Sequence, residues 1–177
     1  NAISDKLERR HPHVFAAEHT ESAEASLARW EQRKAQERAE KDLSSSMDDI
    51  PNALPALMKA YKIQKRCAAV GFDWDTLGPV LGKVYEEIDE VMDEAQQAVV
   101  DEEKLGEEIG DLLFATVNLS RHLGHKAENA LQAANRKFER RFRAVEDAVR
   151  ASGKTMEEAT LDEMEAHWQQ VKKAEGK

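Results

Sequence analysis

The sequence has only one cysteine and no long apolar run, and these absences exclude several classes of protein. A single cysteine, Cys67, excludes an internal disulfide and leads us to expect a cytoplasmic protein. No apolar run approaches the roughly 20 residues of a membrane-spanning helix, and no signal-peptide pattern opens the sequence. The formal net charge of −9 argues against duplex nucleic acid as the main partner. We therefore expect neither a membrane nor duplex nucleic acid among its partners.

The sequence also lacks the alternation of apolar and polar residues that is typical of β-strands. Apolar residues instead recur at steps of three and four, which indicates amphipathic α-helices. Helices are predicted at about 1–10, 21–41, 54–70, 81–95, 105–123 and 127–151, and from 161 onwards. Gly153 is expected to cap the end of one helix, and a capping box from Thr160 to Glu163 to open the next. The short connection at 98–102 favours a helical hairpin, so we expect an all-α antiparallel helical bundle.

Two short motifs occur twice and indicate an internal repeat. Lys6-Leu-Glu-Arg-Arg10 matches Lys137-Phe-Glu-Arg-Arg141, and the spacing of Trp30 and Lys34 matches that of Trp168 and Lys172. Residues 1–43 are therefore expected to be the C-terminal remnant of a first domain, residues 44–50 a linker, and residues 51–177 a complete second domain. Because the sequence begins inside a helical pattern, we expect it to be part of a longer protein.

Acidic residues are concentrated in one window, 86–111, where 12 of 26 residues are carboxylates and only one is a lysine. The predicted hairpin carries two acid pairs at i, i+3 spacing beside its apolar faces, Glu87 with Glu90 and Glu108 with Asp111. Facing carboxylates repel one another unless a cation neutralises them, and all-oxygen ligands favour Mg²⁺ or Mn²⁺. The alternative is that these acids only form a solvated helix face.

Basic and aromatic residues follow in the helices after the acidic window. Lys137 and Arg141 are one helical turn apart, and so are Trp168 and Lys172. With metal-binding carboxylates they would form a nucleotide site, because Arg and Lys bind phosphates and an aromatic ring stacks on a base. The alternatives are a surface ion pair for the cations and a plain core position for Trp168. Trp74, in the turn before the acidic helices, is expected to plug the end of the bundle rather than to contact ligand.

Four motifs follow one another along the chain: Gly71-Phe-Asp-Trp74, Glu86-Glu87-x-x-Glu90, Glu108-x-x-Asp111 and Lys137-Phe-Glu-Arg-Arg141. Together they closely resemble the MazG family, in the all-α NTP pyrophosphatase superfamily. The resemblance implies Mg-dependent hydrolysis of nucleoside triphosphates (NTP or dNTP) to monophosphate and pyrophosphate, with metal-activated water attacking the α-phosphorus. It also implies an intertwined homodimer. A residue-based reason agrees, because Phe114 lies opposite the apolar stripe of its own helix and one hairpin cannot bury both sides.

The resemblance also implies roles for individual residues. Mg²⁺, or Mn²⁺ in its place, is expected on the catalytic acids Glu87, Glu90, Glu108 and Asp111, with Glu86 as a further candidate ligand. Contacts to the nucleotide substrate are expected from Lys137, Arg141, Trp168 and Lys172.

Two other functions remain open. One is a sister pyrophosphohydrolase that acts on a single specialised nucleotide, such as dUTP or phosphoribosyl-ATP, through the same acidic helices. The other is a non-catalytic helical dimerisation module whose acids are solvated. A substrate panel tests the first alternative. Metal titration tests the second, because a solvated acidic face binds Mg²⁺ weakly and without stoichiometry.

Overall fold

The computed structural model describes residues 45–176, which contain five α-helices and no β-strand. The helices are α1 (Ala56–Ala69), α2 (Leu77–Ala95), α3 (Glu102–His122), α4 (Ala127–Ala151) and α5 (Leu161–Ala174). The all-α prediction is confirmed for this part of the chain. The helices predicted at 1–10 and 21–41, and the first copy of the repeat, lie outside the described residues. Among the helices that are described, none is both long and apolar enough to cross a membrane.

Local sequence signals set most of the helix ends. Gly153 follows α4 with a φ of 82°, and its backbone N–H donates to the carbonyl of Arg150, as expected for a helix that ends at a glycine. The predicted capping box at the start of α5 is present between Thr160 and Glu163. The predicted start of α2 at 81 is wrong, because the helix already begins at Leu77. Pro79 lies in its first turn, where a missing N–H costs no intrahelical hydrogen bond.

The helices α2 and α3 form the most extensive helix pair and carry the acidic window. Residues 96–101 connect them, and the Asp101 side chain accepts hydrogen bonds from the backbone N–H groups of Glu103 and Lys104. This N-cap fixes the start of α3 and places acidic residues in its first turn, where the helix dipole favours them. The helix α5 packs on α4, and α1 contacts both α3 and α4.

Within residues 45–176 the apolar core is small. Its largest fully buried side chains are four valines, Val80, Val117, Val145 and Val149, each 1% exposed. The apolar stripe predicted to centre on Ile88 is only partly covered, since Ile88 is 40% exposed and Met92 48% exposed. Large apolar side chains of α3 and α4 are likewise half exposed. The helices therefore carry more apolar surface than the described residues of one chain bury.

The turn between α1 and α2 is tied to the end of α3. Gly71 has a φ of 84°, in the region that favours glycine. The Asp73 carboxylate accepts a hydrogen bond from Arg121 Nη2 at 2.6 Å, and its Oδ1 lies 2.9 Å from His122 Nε2. The hydrogen bond from Arg121 lowers the pKa of Asp73 to about 2. Desolvation acts in the opposite direction, and the contact with His122 lowers the pKa further. This contact joins two segments that are distant in sequence.

We expect Asp73→Asn to lower the free energy of unfolding at neutral pH by about 1–3 kcal/mol, the scale of a hydrogen bond to a charged group. Because the folded pKa is about 2 and the ordinary value is 3.8, the contribution of Asp73 is complete above that ordinary value. It is lost as the pH falls towards 2, so the difference between variant and wild type should shrink over this range. Thermal unfolding from pH 7 downwards measures this. Asp75→Asn, at an exposed acid two residues away, is the control, and a pH-independent loss in Asp73→Asn would contradict the assignment.

Candidate active site

Three carboxylates of the acidic window converge between α2 and α3. Glu87 and Glu90 lie one turn apart on α2, and Glu108 lies on α3. One carboxylate oxygen from each lies within 4.8 Å of those of the other two. Glu87 is buried, with 3% of its surface exposed. The packing of α2 on α3 therefore brings together three of the four acids that were expected to form two facing pairs.

The electrostatics of this cluster favour a cation. The pKa of Glu90 is raised, first by desolvation and then by the negative charges of Glu87 and Glu108. Glu87 Oε2 is buried and has no hydrogen-bond partner among the described residues. A buried carboxylate oxygen without a partner is costly, and a cation would compensate for it. Three converging oxygen ligands suit Mg²⁺ or Mn²⁺.

Lys83 is a functional candidate that lies just before the acidic window and was not among the residues predicted from the sequence. Its Nζ lies 2.6 Å from Glu87 Oε1 and 2.9 Å from Glu86 Oε1. Hydrogen bonds to Glu87 and then Glu86 raise the pKa of Lys83, so the amine stays charged. The i, i+4 spacing of Lys83 and Glu87 is the sequence signal that would have found it.

The remaining predicted metal ligands lie differently. Asp111 is exposed and lies outside the group of three converging carboxylates. It does line the same cavity as Glu87, and this cavity has a volume of about 270 Å³. Glu86 pairs with Lys83, and its side chain is 56% exposed. The structure therefore associates Asp111 with the acidic cluster through the shared cavity, and Glu86 only through Lys83.

A second cavity of about 300 Å³ lies next to the acidic one, at the turn between α1 and α2. Trp74, Phe114 and Asn118 line both cavities. Trp74 is 43% exposed. Trp74 thus lies in the wall of both cavities, and its interpretation as a plug at the end of the bundle stays a prediction.

The basic and aromatic residues predicted to bind substrate lie on α4 and α5. Arg141 is only 7% exposed, and its Nε donates a hydrogen bond to Glu175 Oε2 at 2.8 Å. The guanidinium carbon lies 5.9 Å from the centre of the Trp168 ring, which in turn contacts Phe138 at 5.2 Å between centroids. Arg140 and then Arg141 lower the pKa of Glu175 through hydrogen bonds. Arg141 and Trp168 thus lie in one contact group.

Lys137 is exposed and Lys172 is half-buried, both on the helices of this group. None of the four predicted substrate contacts lines the acidic cavity of the described structure. Glu175, the partner of Arg141, was not predicted from the sequence. It lies just beyond the end of α5, where no motif points to it.

Comparison with known proteins gives matches that include the residues of this candidate site. Residues 77–145 match the MazG nucleotide pyrophosphohydrolase domain, a stretch that contains all three converging glutamates. The chain is 69% identical over 174 residues to the nucleoside triphosphate pyrophosphohydrolase of Escherichia coli (strain K12), which covers 98% of the chain and 66% of that relative. It is 42% identical over 171 residues to the nucleoside triphosphate pyrophosphohydrolase/pyrophosphatase MazG of Thermotoga maritima, covering 96% of the chain and 63% of that relative. The chain thus spans slightly less than two thirds of the length of these curated relatives. Residues 77–145 thus match the MazG nucleotide pyrophosphohydrolase domain, and the chain is similar over nearly its whole length to these two pyrophosphohydrolases.

Proposed function

We propose that this chain hydrolyses nucleoside triphosphates to the nucleoside monophosphate and pyrophosphate, by attack of water at the α-phosphorus. The observation that carries the proposal is the convergence of Glu87, Glu90 and Glu108 on one point beside a cavity. The relatives from Escherichia coli and Thermotoga maritima are named as nucleoside triphosphate pyrophosphohydrolases, which supports the same reaction class. Phosphoanhydride hydrolysis needs charge neutralisation and an oriented water rather than a covalent intermediate, which suits a site built of carboxylates.

Mg²⁺, or Mn²⁺ in its place, would be held by Glu87, Glu90, Glu108 and Asp111. The ligands are all carboxylate oxygens, and the unpartnered Oε2 of Glu87 supports their use by a cation. When bound, the ion supplies positive charge for the triphosphate and lowers the pKa of water. The Lys83 amine forms an ion pair with Oε1 of Glu87 and adds a positive charge to the cavity wall.

Lys137, Arg141, Trp168 and Lys172 are proposed to contact the substrate. Arg141 suits a phosphate because its guanidinium binds two oxygens at once, whereas Lys137 and Lys172 act as point charges. In the structure Glu175 holds Arg141. A substrate phosphate that binds the Nε and Nη2 edge of Arg141 would have to displace this carboxylate.

We also propose that the helices form an antiparallel bundle and that two chains form an intertwined homodimer. The half-exposed apolar side chains of α2, α3 and α4 support the dimer, because a second copy would bury surface that the described residues of one chain leave exposed. Light scattering on the purified protein measures its mass in solution, and a monomer at micromolar concentration would contradict the dimer.

The domain organisation proposed is a remnant at 1–43, a linker at 44–50 and a catalytic domain at 51–177. Residues 1–43 contain no counterpart of the motifs Glu86-Glu87-x-x-Glu90 and Glu108-x-x-Asp111. Removing residues 1–46 is therefore expected to leave the hydrolysis rate within a few-fold of the full chain. The rate of pyrophosphate release from both proteins measures this. Loss of activity in a truncated protein that remains folded and dimeric would show that the removed residues form part of the site.

The proposed function is tested with the eight common NTPs and dNTPs, together with dUTP and phosphoribosyl-ATP, at a range of Mg²⁺ concentrations. Hydrolysis of several of them to monophosphate and pyrophosphate is expected, with saturable metal dependence. Turnover of dUTP or phosphoribosyl-ATP alone would favour the specialised sister enzyme. Absence of hydrolysis together with weak, non-stoichiometric Mg²⁺ binding would favour the non-catalytic dimerisation module and overturn the proposal.

A further inference from the structure

Lys83 lies beside the acidic cluster and contacts one of its three converging carboxylates directly. Its Nζ lies 2.6 Å from Glu87 Oε1, and both residues line the acidic cavity. This ion pair occupies one oxygen of Glu87 and leaves Oε2 without a partner among the described residues. We propose that Lys83 is a positioning residue that restricts Glu87 to binding the metal through a single oxygen, and that the site thereby favours Mg²⁺ over Ca²⁺. The inference rests on the proposed function and adds to it the ion selectivity of the same site.

The contacts of Lys83 separate its amine from the point that the three carboxylates share. Its Nζ also lies 2.9 Å from Glu86 Oε1, and Glu86 is outside the group of three converging carboxylates. Within the part of the chain that the structure describes, Lys83 forms no ion pair with Glu90 or Glu108. The amine therefore pairs with only one of the three acids, and it is not a substitute for a cation that all three would bind.

The position of Lys83 is fixed by its own helix. Lys83 precedes Glu86 by three residues and Glu87 by four on α2, so the three side chains project from neighbouring turns. The amine thus has two anionic partners, and one of them, Glu87, is buried. A charge-assisted hydrogen bond from outside the ligand set orients a metal-binding carboxylate. In this arrangement Glu86 supports the site by holding Lys83.

The number of oxygens that a carboxylate offers distinguishes the two ions. Ca²⁺ takes about six to eight oxygen ligands and binds carboxylates through one oxygen or both, whereas Mg²⁺ requires a near-octahedral set. A carboxylate with one oxygen held by an amine can give an ion only the other oxygen. Removing the Lys83 amine frees Glu87 Oε1, so that the carboxylate can bind an ion through both oxygens. This change benefits Ca²⁺ more than Mg²⁺.

Loss of a positive charge next to the acids also strengthens the binding of any divalent cation. Mg²⁺ and Ca²⁺ carry the same charge, so a purely electrostatic effect changes their two dissociation constants by about the same factor. The ratio of the two constants therefore reports how Glu87 binds the ion rather than how much charge surrounds it.

The experiment measures the Kd of Mg²⁺ and of Ca²⁺ for the nucleotide-free protein, by displacement of Mn²⁺ followed by electron paramagnetic resonance. Lys83→Met keeps the apolar stem of the side chain and removes the amine. It should shift the ratio of the two Kd values by about 10-fold towards Ca²⁺, the scale of losing a group that orients a metal ligand. Lys83→Ala should give the same shift, and it decides the question should Lys83→Met fail to fold.

Lys104→Met is the matched control for the loss of charge. Lys104 precedes Glu108 by four residues on α3, the same spacing as Lys83 and Glu87, but it is exposed and forms no ion pair with Glu108 in the described structure. Its loss should leave the ratio unchanged. A ratio that stays constant or moves towards Mg²⁺ in the Lys83 variants, or an equal shift in Lys104→Met, would overturn this inference and leave the proposed function in place. If the wild type binds no divalent ion with a defined stoichiometry, both are overturned.

Discussion

Glu90→Gln is expected to lower the turnover of nucleoside triphosphates by about 100-fold or more at saturating Mg²⁺, the scale of losing one group that stabilises charge in a reaction. The substitution keeps the shape of the side chain and removes one of the three carboxylates that converge within 4.8 Å. Because Glu90 is exposed, the substitution should leave the fold intact. The measurement is kcat over a series of Mg²⁺ concentrations, with circular dichroism to verify the helices.

Asp89→Asn is the matched control, because it removes the same charge from the neighbouring, exposed position of α2. It should leave kcat within a few-fold of the wild type. Near-normal turnover in Glu90→Gln, or an equal loss in both variants, would contradict the assignment of the site.

The same variant should raise thermal stability in the absence of divalent metal. The pKa of Glu90 is raised by desolvation and by Glu87 and Glu108, so ionising this group opposes folding at neutral pH. Glu90→Gln removes that opposition. The gain in Tm should diminish as the pH falls towards the ordinary glutamate pKa, because the wild-type carboxyl then becomes protonated. It should also diminish when Mg²⁺ is added, because the ion stabilises the wild type through its carboxylates.

Arg141→Lys is expected to lower kcat/KM by about 10- to 100-fold. This is the effect of losing one charge-assisted hydrogen bond, which contributes about 1.5–3 kcal/mol. Lysine keeps the charge but cannot bind two phosphate oxygens in the manner of a guanidinium. The measurement is kcat/KM together with thermal unfolding, because Arg141 is buried and contacts Trp168.

Glu175→Gln separates a substrate role of Arg141 from a structural one. It weakens the ion pair of Arg141 without changing the arginine itself. If Arg141 binds phosphate, Glu175→Gln should keep or increase kcat/KM, because the competing carboxylate charge is gone. If Arg141 only holds the end of α5, both variants should lose stability alike while their kinetics stay normal, and the substrate role would be wrong.

Periodicity and capping signals predicted much of the fold from the sequence. The bounds of α4 are the same in the prediction and in the structure, because its apolar stripe is regular and Gly153 stops it. The helix α2 begins at Leu77, four residues before the predicted start. Gly78 and Pro79 do not favour a helix in general, but the first turn of a helix tolerates both. The apolar stripe predicted to centre on Ile88 is only partly covered by the described residues of one chain. Which side of a helix is buried depends on its neighbours, and the hairpin buries Val80 and Glu87 rather than Ile88.

The candidate site was predictable where it depends on local spacing. The i, i+3 step of Glu87 and Glu90 puts both carboxylates on one face of α2, so only the hairpin was needed to add Glu108. The contacts that depend on tertiary packing were not predictable. Glu175 reaches Arg141 across 34 residues of sequence, and Trp74 borders a cavity that only the packing of α1, α2 and α3 creates.

The central claim is that water attacks the α-phosphorus of a nucleoside triphosphate held at the carboxylates of α2 and α3. Hydrolysis in water enriched in ¹⁸O, followed by mass spectrometry of both products, tests it most directly. The account predicts that the heavy oxygen appears in the nucleoside monophosphate and not in pyrophosphate, and that Glu90→Gln suppresses this product while Asp89→Asn does not. Heavy oxygen in pyrophosphate, or release of a nucleoside diphosphate and inorganic phosphate, would contradict it.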